Sequence, residues 1–411
     1  MTKAGVKSGI ILIFVTLLCT CIDPYTPAVR GYQSLLVVEG LITDANSSFA
    51  IKLSRTISEQ NSNPEPVSGA TVSISDDFGS SIPLTGVAGG IYKTDSLEFH
   101  ATPGRTYILH LITPEGMEYE SDSCLMRPVN DIDSIYFAKE SELINNSTET
   151  AEGIKIYLNS STGQDNGFVR WDFDETWKFK IPLPKKFDYI NDTTIVPVDM
   201  VKEFCWKSRK SDEILVHSPE TSNETKIEKF PVYFIATGSS DRLLIQYNIL
   251  VKQYSISKKE YEFWNNMVQV NSGGGDIFAA QPYPVISNIH NVNMPGEKVL
   301  GYFQVSAMKQ KRKTITISDI AKLNLPLYHY PCKRIEISPS SFPISSSWQK
   351  APSWDDIYEM YCITSSKYDF VEPIFLPEST KLSKLIFSTK ECANCELTGT
   401  SIKPDFWTDS K

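Results

Sequence analysis

The sequence has no apolar run long enough to span a bilayer, no cluster of basic residues and few histidines. Each shortage removes a class of function. A spanning helix needs about 18 or more apolar residues, and the longest run, Ile10 to Leu18, falls well short. Lys and Arg number 40 against 49 Asp and Glu, a formal net charge of −9. The basic residues are scattered, so the long-range field repels nucleic acid and anionic lipid, and no nucleic-acid partner is expected. The histidines, His100, His110, His217, His290 and His329, never form the His-Glu-x-x-His pattern that sets two metal ligands on one helical face. There is no Gly-x-Ser-x-Gly nucleophile elbow. Gly273-Gly274-Gly275-Asp276 lacks the Gly-Lys-Ser/Thr of a phosphate loop and reads as a helix terminator. No metal and no cofactor are expected.

What is present begins at the N-terminus. Lys3 and Lys7 precede the apolar core Ile10 to Leu18, and Thr20-Cys21 closes it with Asp23-Pro24 behind. This is the layout of a secretory signal ending in a cysteine. Cleavage before Cys21 would leave residues 1–20 as signal peptide and Cys21 as the lipid acceptor, with Cys19 the rival. Residues 21–33, carrying Pro24 and Pro27, read as an extended tether. The remaining cysteines are Cys124, Cys205, Cys332, Cys362, Cys392 and Cys395. An even number in an exported chain points to disulfides, whose pairing the sequence leaves open.

Residues 34–127 read as an Ig-like or transthyretin-like β-sandwich. Leu35 to Ile42 is mostly apolar, Phe49, Ile51 and Leu53 alternate with polar neighbours, and turn-forming Asp76-Asp77-Phe78-Gly79 separates further strands. Pro66-x-Ser-Gly-Ala-x-Val72, followed by Gly90-Ile-Tyr92, is similar to carboxypeptidase-regulatory domains, which bind or space more often than they catalyse. Arg127 to Asp131 breaks the pattern, and residues 128–320 read as a second, larger sandwich. Its expected strands include Ser134–Phe137, Ile154–Leu158, Phe168–Phe179, Phe230–Ala236, Arg242–Tyr254, Val285–Ile289, Val299–Ala307 and Thr314–Ile317, with polar Glu140 to Gly153 as an exposed loop. A helix over 257–271 is inserted: Ser257-Lys258-Lys259-Glu260 fits a capping box, and Tyr261, Trp264 and Val268 share a stripe widened by Phe263, Met267 and Val270. Residues 321–411 hold 8 of the 24 prolines and four of the six cysteines. They read as an irregular lobe, packed on the second domain and stapled by disulfides. The fold class is therefore mainly β.

Several stretches together resemble one family: Cys21-Ile-Asp-Pro-Tyr25, Asn291-Val-Asn293, Val299-Leu-Gly-Tyr-Phe303, Cys392-Ala-Asn-Cys395 and Lys403-Pro-Asp-Phe-Trp407. It is the group of Bacteroidota lipoproteins catalogued as domain of unknown function 4249. The resemblance implies an outer-membrane lipoprotein, often encoded beside a TonB-dependent receptor, without an established activity or catalytic residues.

The candidate chemistry is correspondingly thin. Cys392-x-x-Cys395 lacks the following helix of a redox site, and structural disulfides suit it better than zinc. Asp172, Asp174 and Glu175 offer calcium ligands or a glycosidase carboxylate pair, against the simpler reading of a solvated strand face. Tyr261 and Trp264 offer sugar-stacking rings, against the simpler reading of a buried helix stripe. The expected function is a non-catalytic accessory or ligand-capture lipoprotein of a TonB-dependent transporter, its ligand unknown. The alternatives are an extracellular glycan- or peptide-acting enzyme and a cell-surface adhesin or scaffold.

Overall fold

The computed structural model describes residues 33–57, 63–95, 99–144, 148–162, 167–219, 226–272, 285–342 and 350–409. The signal, Cys21, the tether to residue 32, the triple glycine and Trp348 lie outside them.

In the strand Leu36–Ile42, Leu36, Val38 and Ile42 are buried on one face while Val37, Glu39 and Leu41 occupy the other. It pairs antiparallel with Ala50–Arg55, which continues to Ile91–Lys93 and Thr85–Val87. The facing sheet is built from Thr71–Asp76, Ser81–Pro83, Thr106–Ile112 and Glu118–Ser121. Leu109, Leu111, Val72 and Ile74 close the core between the two.

Both sheets are completed from far along the chain. Leu300–Val305 lies parallel to Leu36–Ile42, with Val38 opposite Gly301 and Gly40 opposite Phe303. Ile289–Asn291 pairs with Glu118–Ser121, and Ile289, Phe303 and Val305 enter the first core. Residues 285–307, expected in the second sandwich, supply strands to the first instead, as the sheet registers show. Apolar alternation marks a strand but carries no label for the sheet it joins.

The second sandwich stacks Ile132–Leu143, Thr150–Ser161 and Lys226–Ala236 on a sheet ordered Phe204–Lys210, Val169–Lys180, Gln246–Ser255, Met308–Thr316. Trp171, Phe173, Trp177 and Tyr247 fill its core. Polar 140–153 is not simply a loop, because Glu140 to Leu143 pair with Thr150 to Gly153 as the end of a hairpin. Met308–Thr316 begins earlier than its apolar residues suggested. Lys309, Gln310, Lys311 and Arg312 are exposed on an edge strand, where charge discourages further pairing.

The tail is more regular than its prolines suggest. Tyr368–Phe375, Leu382–Thr389 and Ile335–Ile337 form a three-stranded sheet. Phe370, Leu385 and Phe387 build a small core with Tyr189, which belongs to the hairpin Phe187–Asn191/Thr194–Pro197 reaching out of the second sandwich. Two disulfides fasten this lobe, Cys205–Cys395 and Cys332–Cys392. Of the six candidate cysteines, Cys124 and Cys362 are not bridged. Neither half of Cys392-x-x-Cys395 bonds to the other.

Candidate functional site

The helix Lys258–Ser272, here α1, begins as its sequence promises. Ser257 Oγ accepts from the Glu260 amide at 3.1 Å, and the Glu260 carboxyl accepts from the Ser257 backbone N–H, so the capping box is formed. The helix does not simply lie on the second sandwich. Phe263 packs on Tyr302 of the first sandwich with ring centroids 4.7 Å apart. Tyr261 packs on Phe168 of the second at 5.2 Å. It therefore wedges the seam between the two bodies.

Under this wedge is a cavity of about 710 Å³. Its floor is the outward face of the first sheet, with Val37 and Leu41 beside Leu300, Tyr302 and Gln304 in parallel register. Its roof is Phe263, Trp264 and Met267. Glu39 and Lys52, paired at 3.5 Å, are polar members of the lining together with Gln304 and Arg170. The volume falls in the range of small-molecule sites.

A second hollow of about 390 Å³ adjoins it and shares Leu41, Arg170 and Trp264. This one is polar, lined by Asp172, Asp174, Lys210, Asp212 and Lys252. Arg170 stands between the two. Its guanidinium lies over Tyr254 at 4.5 Å and over Trp264 at 5.0 Å, and its side chain is only 10% exposed. Its hydrogen bond among the described residues runs from Nη2 to Asp172 at 3.3 Å, while Nε is buried without a partner.

The acidic trio is divided. Asp172 pairs with Arg170 and is hydrogen-bonded to the Tyr254 hydroxyl. Asp174 is bound by Lys252 at 2.6 Å. Glu175 shares the parity of Trp171 and Phe173 and is buried in the second core. There it accepts from Arg242 at 2.7 and 2.9 Å and from the Tyr247 hydroxyl at 3.0 Å. A shared calcium or carboxylate-pair site across the three is thereby corrected, since alternate strand positions point to opposite faces. Among the described residues, no three His, Cys, Asp or Glu side chains converge to hold a metal ion. Trp264 does join Asp172 and Asp174 at the polar hollow, whereas Tyr261 is committed to Phe168. Arg170, which sequence reasoning passed over, had a visible signal: a basic residue at the same strand parity as the two aspartates.

A third cavity of about 450 Å³ lies at the N-terminal end of α1, lined by Asp122, Cys124, Arg127, Lys259, Glu260 and Asn288 among others. Burial pushes the Glu260 carboxyl up to about 8, and the Arg170 charge and the Trp264 Nε1 donor at 3.4 Å only partly oppose it. Burial likewise holds the Cys124 thiol at about 12, which leaves little thiolate for chemistry.

Fold and site together define a tandem β-sandwich protein with a cavity at the seam. The chain belongs to the family described as Domain of unknown function (DUF4249), whose family model matches residues 22–312. The match ends inside the strand Met308–Thr316, so the disulfide-stapled tail lies beyond it. None of the curated proteins compared with the chain matches it.

Proposed function

We propose that this protein is a lipid-anchored, non-catalytic ligand-capture partner of a TonB-dependent transporter at the outer membrane. The observation that carries the reading is the seam cavity, an apolar chamber opening beside a polar one, formed where two sandwiches and a helix meet. Binding sites favour such places because neighbouring bodies leave concave surface between them. The signal ending at Cys21 supports an anchor, and the resemblance to lipoproteins encoded beside TonB-dependent receptors supports the partner. The enzyme reading centred on Asp172, Asp174 and Glu175 is weaker. Asp172 and Asp174 are each engaged by a cation and Glu175 by Arg242, whereas general acid–base work needs a carboxyl free to exchange its proton.

Affinity purification of the native protein through a C-terminal tag should recover an outer-membrane barrel in stoichiometric amount. Repeated recovery of the lipoprotein alone, from membranes solubilised gently enough to keep other barrel complexes intact, would count against the partnership.

A further inference from the structure

We propose, resting on the ligand-capture reading above, that the ligand is a single-chain amphiphile with a carboxylate head. Its hydrocarbon would lie in the apolar chamber and its head would meet Arg170 at the boundary with the polar hollow. The chamber requires a ligand with an apolar body, because Val37, Leu41, Leu300, Phe263 and Met267 offer no hydrogen bonds from their side chains. Hydrocarbon moved there from water is stabilised in proportion to the apolar surface it buries.

The head group is specified by Arg170. A guanidinium presents five N–H donors, yet among the described residues this one makes a single long hydrogen bond, to Asp172, and its Nε has no partner. A nearly buried cation so poorly satisfied is unusual, since burying an unpaired donor is costly. Tyr254 and Trp264 hold the group by its ring contacts, and Arg170 lines both hollows, with Nε itself buried away from them. A planar carboxylate fits a guanidinium. Asp172, with Glu260 further off, balances part of the charge but takes only one of the donors, and Asp174 is taken by Lys252.

The test uses the mature chain, residues 21–411, carrying Cys21→Ser and made without the signal, so that no detergent competes for the chamber, and follows the fluorescence of the neutral apolar dye N-phenyl-1-naphthylamine. The dye should bind, and Met267→Trp, which fills the roof, should abolish that binding. Decanoate should then displace the dye at a concentration at least tenfold lower than decanol. Arg170→Lys, checked by thermal melting to be folded, should bring the two displacement curves together. Failure of the dye to bind, or dye binding unaffected by Met267→Trp, would overturn the chamber and with it the capture reading. Dye binding with equal displacement by decanoate and decanol would overturn the carboxylate proposal and leave the capture reading standing. That comparison is made on unaltered Arg170 and does not depend on the variant folding.

Discussion

Glu175 and Glu260 are both buried glutamates, and their neighbours give them opposite roles. Glu175 is met by a bidentate arginine and a tyrosine hydroxyl, so its charge is matched within the core. Glu260 has an indole, a backbone amide and a more distant guanidinium, and burial prevails, raising it from 4.5 to about 8. An unfolded glutamate titrates near the lower value. Stability from this group is therefore complete below about pH 4.5 and is lost as pH rises through about 8, where the folded chain must bear a buried charge. The difference is on the order of 5 kcal/mol. Glu260→Gln keeps the capping box, which accepts either residue, and removes the titration. Melting temperatures of the two proteins should diverge between pH 5 and pH 8.5, with the variant more stable at the higher pH. A constant gap would show that Glu260 is not the titrating group. At this scale the sequence was partly legible. Parity with Trp171 and Phe173 already pointed Glu175 inward, but its position next to two aspartates drew it into their group.

At the scale of elements, the parallel pairing of Leu300–Val305 with Leu36–Ile42 depends on one glycine. Gly301 has φ +84°, and a Cβ there would lie 2.0 Å from the Val38 carbonyl oxygen. Since the obstacle is backbone, no rotamer change relieves it. Gly301→Ala should cost roughly 3 kcal/mol, from left-handed strain and the forced separation of the strands. Chemical denaturation would measure it, and a loss below about 1 kcal/mol would mean that the parallel pair is looser than it looks. The same substitution should weaken dye binding in the chamber, because Gly301 lines its floor. Strands and the long helix were readable as elements, since period two and the Ser257/Glu260 cap are local signals. Their partners were not. The strand Met308–Thr316 also escaped in part because an exposed edge does not require apolar alternation.

At the scale of the whole molecule, the chain is laced together. The first sandwich takes strands from residues 289–305, the tail's small core takes the hairpin Phe187–Pro197, and Cys205–Cys395 spans 190 positions of sequence. The two bridges should leave Cys124 and Cys362 as the reactive pair. Alkylation of the denatured, unreduced protein should add two labels between residues 124 and 395, and prior reduction should raise this to six. In the native state both thiols should react slowly, because burial holds each at about 12. Labels on Cys392 and Cys395 without reduction would refute the pairing. The mainly β class, the tandem sandwiches and the presence of bridges were legible from composition and period. The interlocking was not, because contacts between distant segments leave no mark on either segment alone.

That lacing governs how the protein can be made. Until residue 305 has left the ribosome, the strand Leu36–Ile42 has a bare hydrogen-bonding edge and the first core lacks Phe303 and Val305. The amino-terminal third of the nascent chain thus cannot finish folding as it emerges. Such exposed strand edges are prone to aggregate, so the first sandwich is at its most vulnerable in the interval before its closing strand arrives.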